Sequence, residues 1–259
     1  MSEAVFTPDG DAFVPSGHAR GPWDPDAMHG GGPAALLARA VERADAPGPM
    51  RVARLTVEFL KAVPLAPVTV HAEVVRGGRR LQLLEATLRA DGEDVLRARA
   101  VRLRAGDEAV PAAAPERPVP GPEEAEHAPF PVAGEAQGFH RTAMDIRFVR
   151  GSFGESGPAL TWFRLQRPLV AGEAPTPLQR AVAAADFGNG VSRVLDWDEH
   201  LFVNTDLSVH LHREPEGEWV ALDARTDLDP AGIGQATSVL RDPRGRLGVA
   251  AQSLYVAAR

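Results

Sequence analysis

The sequence predicts an α+β protein in which one architecture, a helix laid against a long antiparallel sheet, occurs twice along the chain. Three observations carry this. Most of the chain alternates polar and apolar residues between Gly, Pro and Asp breaks, as half-buried strands do. Only two stretches carry a helical apolar stripe, and they stand one in each half. Blocks of the first half also reappear in order in the second: Leu55-Thr-Val-Glu-Phe-Leu-Lys61 aligns with Leu207-Ser-Val-His-Leu-His-Arg213, and Glu85-Ala-Thr-Leu-Arg-Ala-Asp-Gly92 with Gln235-Ala-Thr-Ser-Val-Leu-Arg-Asp242. A period of about 120 residues means duplicated domains, not a solenoid.

The elements follow in order. Alternating pieces around Val5-Phe6 and Phe13-Val14 predict one strand before residue 26. His29-Gly30-Gly31-Gly32-Pro33 then opens a helix whose stripe is Leu36, Leu37, Ala40, Val41 and Ala44. Pro33 suits a first helical position, and Pro47-Gly48 stops the run. Four strands are expected at 52–60, 68–75, 81–90 and 95–103, with turns at Arg76-Gly77-Gly78 and at Asp91-Gly92, a strong hairpin signal. The Pro- and Ala-rich stretch 105–136 cannot sustain helix or sheet and is expected to be an extended surface linker. Beyond it, strands are expected at 139–149 and 159–166 and a helix at 177–185, with Leu178, Ala181, Val182 and Ala185 inward. Three antiparallel strands between 204 and 255 complete the chain. The domain reading is therefore 1–104, linker 105–136, and 137–259.

At 259 residues with 44% hydrophobic content, the chain can bury a substantial core. The absence of cysteine excludes disulfides, thiolate nucleophiles and zinc-thiolate sites. A net charge of −7 argues against nucleic-acid binding, and Lys61 is the only lysine among many arginines. There is no basic-then-apolar leader and no run near the roughly 18 apolar residues of a membrane helix, so a cytoplasmic location is expected.

Each of three runs in the last third holds a polar side chain that a sheet can gather with the others: Asp206, Thr226 and Gln252. Two glycine-rich helix termini, Gly30-Gly31 after His29 and Gly188-Asn189-Gly190 after Asp186, can offer bare N–H groups to a ligand oxygen. His210 and His212 share one face of a strand, but no third ligand stands at a helpful spacing, and no metal or other cofactor is expected.

These residues resemble the double hotdog acyl-CoA thioesterases of the bacterial type II, medium-chain kind and their actinobacterial thioesterase-like relatives. The resemblance rests on His29-Gly-Gly, on Ala185-Asp186-Phe187-Gly188-Asn189-Gly190, on Asp206-Leu-Ser-Val-His-Leu-His212-Arg213, and on Ala251-Gln252. It implies two hotdogs in one chain and hydrolysis of acyl-CoA or acyl-carrier thioesters. It also implies a catalytic set of Asp206 as base with Thr226 and Gln252 orienting the water, and further assembly into a homo-oligomer. An ungapped count from Trp219 puts the family's hydroxyl at Asp227, one residue past Thr226. Gly30, Gly31, Gly188 and Gly190 are the candidate oxyanion donors, with His29 and Asp186 beside the substrate. Phe59-Leu-Lys61-Ala-Val-Pro64 departs from the family's tighter Phe-Leu-Arg-Pro. Two alternatives stay open: a catalytically silent acyl-binding hotdog, and a hydratase or dehydratase using His29 and Asp186 as acid and base.

Overall fold

A computed structural model describes residues 3–106, 118–128, 130 and 137–259. In chain order the strands of the first half are β1 (Phe6–Asp9), β2 (Ala12–Pro15), β3 (Met50–Phe59), β4 (Val68–Arg76), β5 (Leu81–Ala90) and β6 (Glu93–Arg104). Helix α1 (Gly31–Arg43) lies between β2 and β3. The two-residue β7 (Glu126–His127) precedes β8 (Met144–Arg150), β9 (Ala159–Leu165), α2 (Pro177–Ala185) and the single turn α3 (Gly188–Val191). Strands β10 (His200–Asn204), β11 (Asp206–Leu211), β12 (Trp219–Asp229), β13 (Ile233–Asp242) and β14 (Gly245–Ala258) follow.

All paired strands of the one large sheet run antiparallel, in the order β1-β2-β4-β5-β6-β3-β11-β14-β13-β12-β9-β8-β7, with β10 also on β14. Reading outward from the β3–β11 seam, each half repeats the same strand sequence, which is the expected double hotdog with two main helices on a continuous sheet. The seam has internal two-fold character. Val57 faces Leu207, Leu55 faces Val209, and Thr56 faces its own counterpart Ser208, which donates to the Thr56 hydroxyl at 3.1 Å. Of the two repeated blocks, the first pairs with its counterpart as β3 on β11, and the second takes equivalent places two strands out on either side, as β5 and β13.

Three expectations need correction. The first segment holds a hairpin of two short strands, β1 and β2, where one strand was expected. Its backbone also reaches across to 168–171, through Val5 N–H to Pro168 O and Phe6 N–H to Leu169 O, and so ties the sheet end to the second half. Residues Phe139–Ala143 form a π-helical turn, and the strand begins only at Met144. The last third contains five strands, because the runs at 200–211 and 219–242 each split at a break. Much of the 105–136 segment lies outside the described residues. Its described part seats β7 on β8, and Pro120 O accepts from Trp162 Nε1 at 2.9 Å.

The core forms where α1 and α2 face the sheet. Leu36, Leu37 and Val41 of α1 and Ala181 and Val182 of α2 are all fully buried, as their stripes require. The helices approach closely enough that a Cβ at Gly31 would come within 2.8 Å of Ala183 O. No described helix is long and apolar enough to cross a membrane.

Past β11, Arg213 holds the fully buried Asp242 carboxylate with two hydrogen bonds of 2.6 Å, and the N–H groups of Glu216 and Arg244 add two more. Burial alone would raise this carboxyl, but the Arg213 pairing and the two N–H donors outweigh it and hold it below the ordinary range. Its contribution is therefore present above the unfolded carboxylate pKa and lost as pH falls through the lower folded value. Arg213→Ala strands a buried charge and is expected to cost roughly 3–5 kcal/mol at neutral pH in urea unfolding, with the difference shrinking in acid.

Candidate active site

Because α1 and α2 run antiparallel, the N-terminal end of α1 meets the C-terminal end of α2. The loop entering α1 is pinned by Gly21 N–H to Ala27 O, Met28 N–H to Val63 O and His29 N–H to Ala19 O. His29 is thereby held with its ring stacked on Phe187, 4.4 Å between centroids, and beside Phe139 at 5.2 Å. Its Nδ1 lies 3.0 Å from Asp186 Oδ2 and 3.1 Å from the Gly31 N–H donor. The other oxygen, Oδ1, accepts from Asn204 Nδ2 at 2.9 Å, and Gln252 Nε2 lies at 3.5 Å while donating to Asp186 O at 3.3 Å. Gln252 Oε1 in turn accepts the Asn189 N–H at 3.0 Å. A nearly buried carboxylate is thus oriented by two amides on one side and an imidazole on the other.

This cluster forms the polar end of a cavity of about 320 Å³. Trp23, Met28, Phe59, Val63 and Val203 supply apolar walls, and Gly30, Asn189 and Thr205 join the polar end. The Gly30 N–H has no acceptor among the described residues and stands at the positive end of the α1 dipole. Water bound against Asp186 Oδ2 in such a place would face both a proton acceptor and an oxyanion donor.

The residues expected from the sequence fall into two groups. His29, Gly30, Asp186 and Gln252 come together here, while Asp206 and Thr226 do not join them. In β14, Gln252 turns inward with Ala250 and Leu254. In β11, Leu207, Val209 and Leu211 turn inward, leaving Asp206 with Ser208 and His210 on the opposite face. There Asp206 Oδ1 accepts the Ser253 N–H. Thr226 does face inward, but it stands in the same row as Gln252 with Ala236 between them, roughly 9–10 Å away at sheet spacing. It shares a 2.8 Å hydrogen bond with Ser192 Oγ, which also donates to Gly188 O, so the three lie beneath α3. Among the glycines, Gly31 gives its N–H to His29, Gly188 packs against Gln252 and Ser238, and Gly190 faces Trp197. His210 is exposed on the outer face, and among the described residues no group of three His, Asp or Glu is placed to hold a metal.

Sequence reasoning missed Asn204 and Asn189. Asn204 pairs with Leu254, whereas Thr205 N–H bonds Ser253 O and Asp206 also reaches Ser253. Two residues therefore oppose one, a bulge that turns Asn204 inward and Asp206 outward. No sequence signal marks it, because alternation from Asp206 along β11 puts Asn204 on the outer face. Across the seam, Val52 corresponds to Asn204 and Ala100 to Gln252, since Val52 and Arg102 pair as Asn204 and Leu254 do. At the other helix-pair end Glu42 accepts from Thr176 and Gln179, and Val52 and Ala100 stand where Asn204 and Gln252 would be, so among the described residues the site is not repeated there.

Behind the cluster lies His140, nearly buried against Phe130, with Nδ1 unpaired among the described residues. Burial above all, then the charges of His29 and Arg141, pushes its imidazole down to about 3. An unfolded chain takes up this proton near pH 6.5, so stability present above that pH is lost as pH falls toward about 3. The full loss is on the order of several kcal/mol. His140→Phe is expected to move the midpoint of acid unfolding to lower pH, as followed by circular dichroism.

Two family models match the chain: the acyl-CoA thioesterase N-terminal domain over residues 19–103 and the acyl-CoA thioesterase C-terminal domain over residues 111–256. No curated protein matches the sequence significantly. Among solved structures, a protein of unknown function with a hot dog fold from Alicyclobacillus acidocaldarius is 19% identical, with a TM-score of 0.74 over 96% of its chain and 98% of this one. An acyl-CoA thioesterase II from Mycobacterium marinum, TesB2, is 16% identical, with a TM-score of 0.67 over 94% of its chain and 97% of this one. The tesB protein of Mycobacterium avium subs paratuberculosis gives 15%, 0.67, 95% and 97% in the same order. At these identities the likeness shows a shared fold.

Proposed function

This chain belongs to the acyl-CoA thioesterase family, and on that premise we propose that it hydrolyses acyl-CoA thioesters with Asp186 as the general base. The observation carrying this reading is the Asp186 carboxylate, fixed by Asn204, Gln252 and His29 at the end of an apolar cavity. Water attacks the thioester carbonyl carbon and passes its proton to Asp186 Oδ2, where His29 Nδ1 shares it. The carbonyl oxygen, now negative, accepts a hydrogen bond from the Gly30 N–H. Collapse breaks the C–S bond, and the leaving thiolate takes up the proton, giving free acid and free thiol.

In this reading Asp206 and Thr226 are positioning residues. Asp206 pins the bulge that turns Asn204 inward, and Thr226 holds Ser192 and hence the α3 turn that carries Asn189. The test is release of free thiol from a panel of acyl-CoA esters. The His29–Asp186 contact also suits addition of water to a 2-enoyl thioester, so the panel includes an enoyl-CoA. Loss of its conjugation without thiol release would favour the hydratase alternative. Binding of the esters with neither reaction would favour the silent acyl-binding alternative.

A further inference from the structure

The space around Asp186 limits what can be attached to the thioester carbonyl. On the helix side, His29 stacks on Phe187, and Phe187 packs against Phe163 at 4.9 Å and Phe139 at 6.0 Å. All three phenylalanines are buried, and the contact of Gly31 with Ala183 O closes the gap between the helices just beyond them. A chain passing the carboxylate in that direction would have to displace a packed aromatic column. Trp23 also lines the cavity and backs onto Trp197 and Phe202, each with ring centroids 5.0 Å away. Trp197 and Phe202 also pack on each other at 4.8 Å, so the wall is two rings deep. The cavity itself holds about 320 Å³, at the low end of the roughly 300–1,000 Å³ of small-molecule sites, and the thiol end of the pantetheine arm must share it.

We infer that the site selects thioesters of short acyl groups, butyryl rather than decanoyl, and that Trp23 is the residue that sets the limit. This deepens the hydrolase reading and rests on it. Trp23 is only partly buried and belongs to a loop, so its truncation opens the cavity toward Trp197 and Phe202 without removing a core residue.

The experiment has two arms on the full-length protein. In the first, kcat/KM is measured for butyryl-CoA and decanoyl-CoA with wild type, Trp23→Ala and Trp23→Leu. Wild type is expected to favour butyryl by at least about tenfold, since a mismatch of even one methylene can be worth about that much. Both variants should lower the ratio severalfold by gaining activity on decanoyl-CoA. In the second arm, S-butyl-CoA and S-decyl-CoA, thioethers that cannot be hydrolysed, are titrated calorimetrically, and the same preference and the same shift are expected. Equal or better handling of the decyl compounds by wild type would overturn the inference. An unchanged ratio in both folded variants would overturn the role of Trp23. Absence of thiol release from every ester would sink the hydrolase reading alone, because the thioether arm still reads the chain-length limit.

Discussion

Asp186→Asn is expected to lower kcat on a good acyl-CoA substrate by about 10²- to 10⁴-fold, the usual contribution of a positioned general base. The substitution keeps shape and burial while removing the proton acceptor. KM should change little, because the apolar walls and not the carboxylate hold the acyl group. The informative comparison is Asp206→Asn, which retains an oxygen that can accept the Ser253 N–H and so preserves the bulge. It should stay within a few-fold of wild type, as a hydrogen bond whose acceptor is replaced in kind costs little. Full activity in Asp186→Asn together with collapse in Asp206→Asn would move the base back to the outer strand position and refute the assignment. Measured side by side in a thiol-release assay, with melting temperatures to confirm folding, the two variants separate the two candidate bases.

The sequence revealed the fold more readily than the site, and particular residues show why. The α2 boundaries were readable because Thr176 accepts the Gln179 N–H as an N-cap and Pro177 sits at the first helical position, both local signals. The Asp91-Gly92 hairpin was readable because both residues take positive φ, 51° and 79°. The duplication was readable because equivalent strands, β3 with β11 and β5 with β13, take equivalent places in the two halves of the sheet and therefore carry matching patterns. The site depends on facts that alternation does not encode. One extra residue at Thr205–Asp206 inverts which side chains face inward, and a single sequence gives no sign of it. Antiparallel packing of the helices brings His29 to Asp186, 157 positions apart, and that too is a tertiary fact. Polar inward residues such as Asn204 and Gln252 then acquire meaning only together, as the pair of amides that orients one carboxylate.

Gly30→Ala is the second variant expected to have a large effect, and it tests the geometry without touching a titrating group. A Cβ at Gly30 would lie 2.6 Å from the Phe59 ring and 2.8 Å from Asp186 Oδ2, closer than a methyl can approach either. Backbone strain is not the reason, since the Gly30 φ of −57° is open to any residue. Something must move. Phe59 is held in β3 and is only partly buried, so its ring can swing toward the cavity; Asp186 is fixed from behind by Asn204 and can only be pushed toward Gln252. Either response damages the site, by filling the acyl space or by shifting the carboxylate from the water. A displacement of about 1 Å can cost on the order of 10²-fold in rate. The expected result is loss of thiol release of that size with folding largely retained, because Gly30 makes no side-chain capping hydrogen bond and its αR backbone angles are open to alanine, so the cost at the cap is small beside that at the site. Steady-state kinetics together with thermal melting checks it. Near-wild-type turnover in Gly30→Ala would mean that the reacting groups do not meet between Gly30 and Asp186.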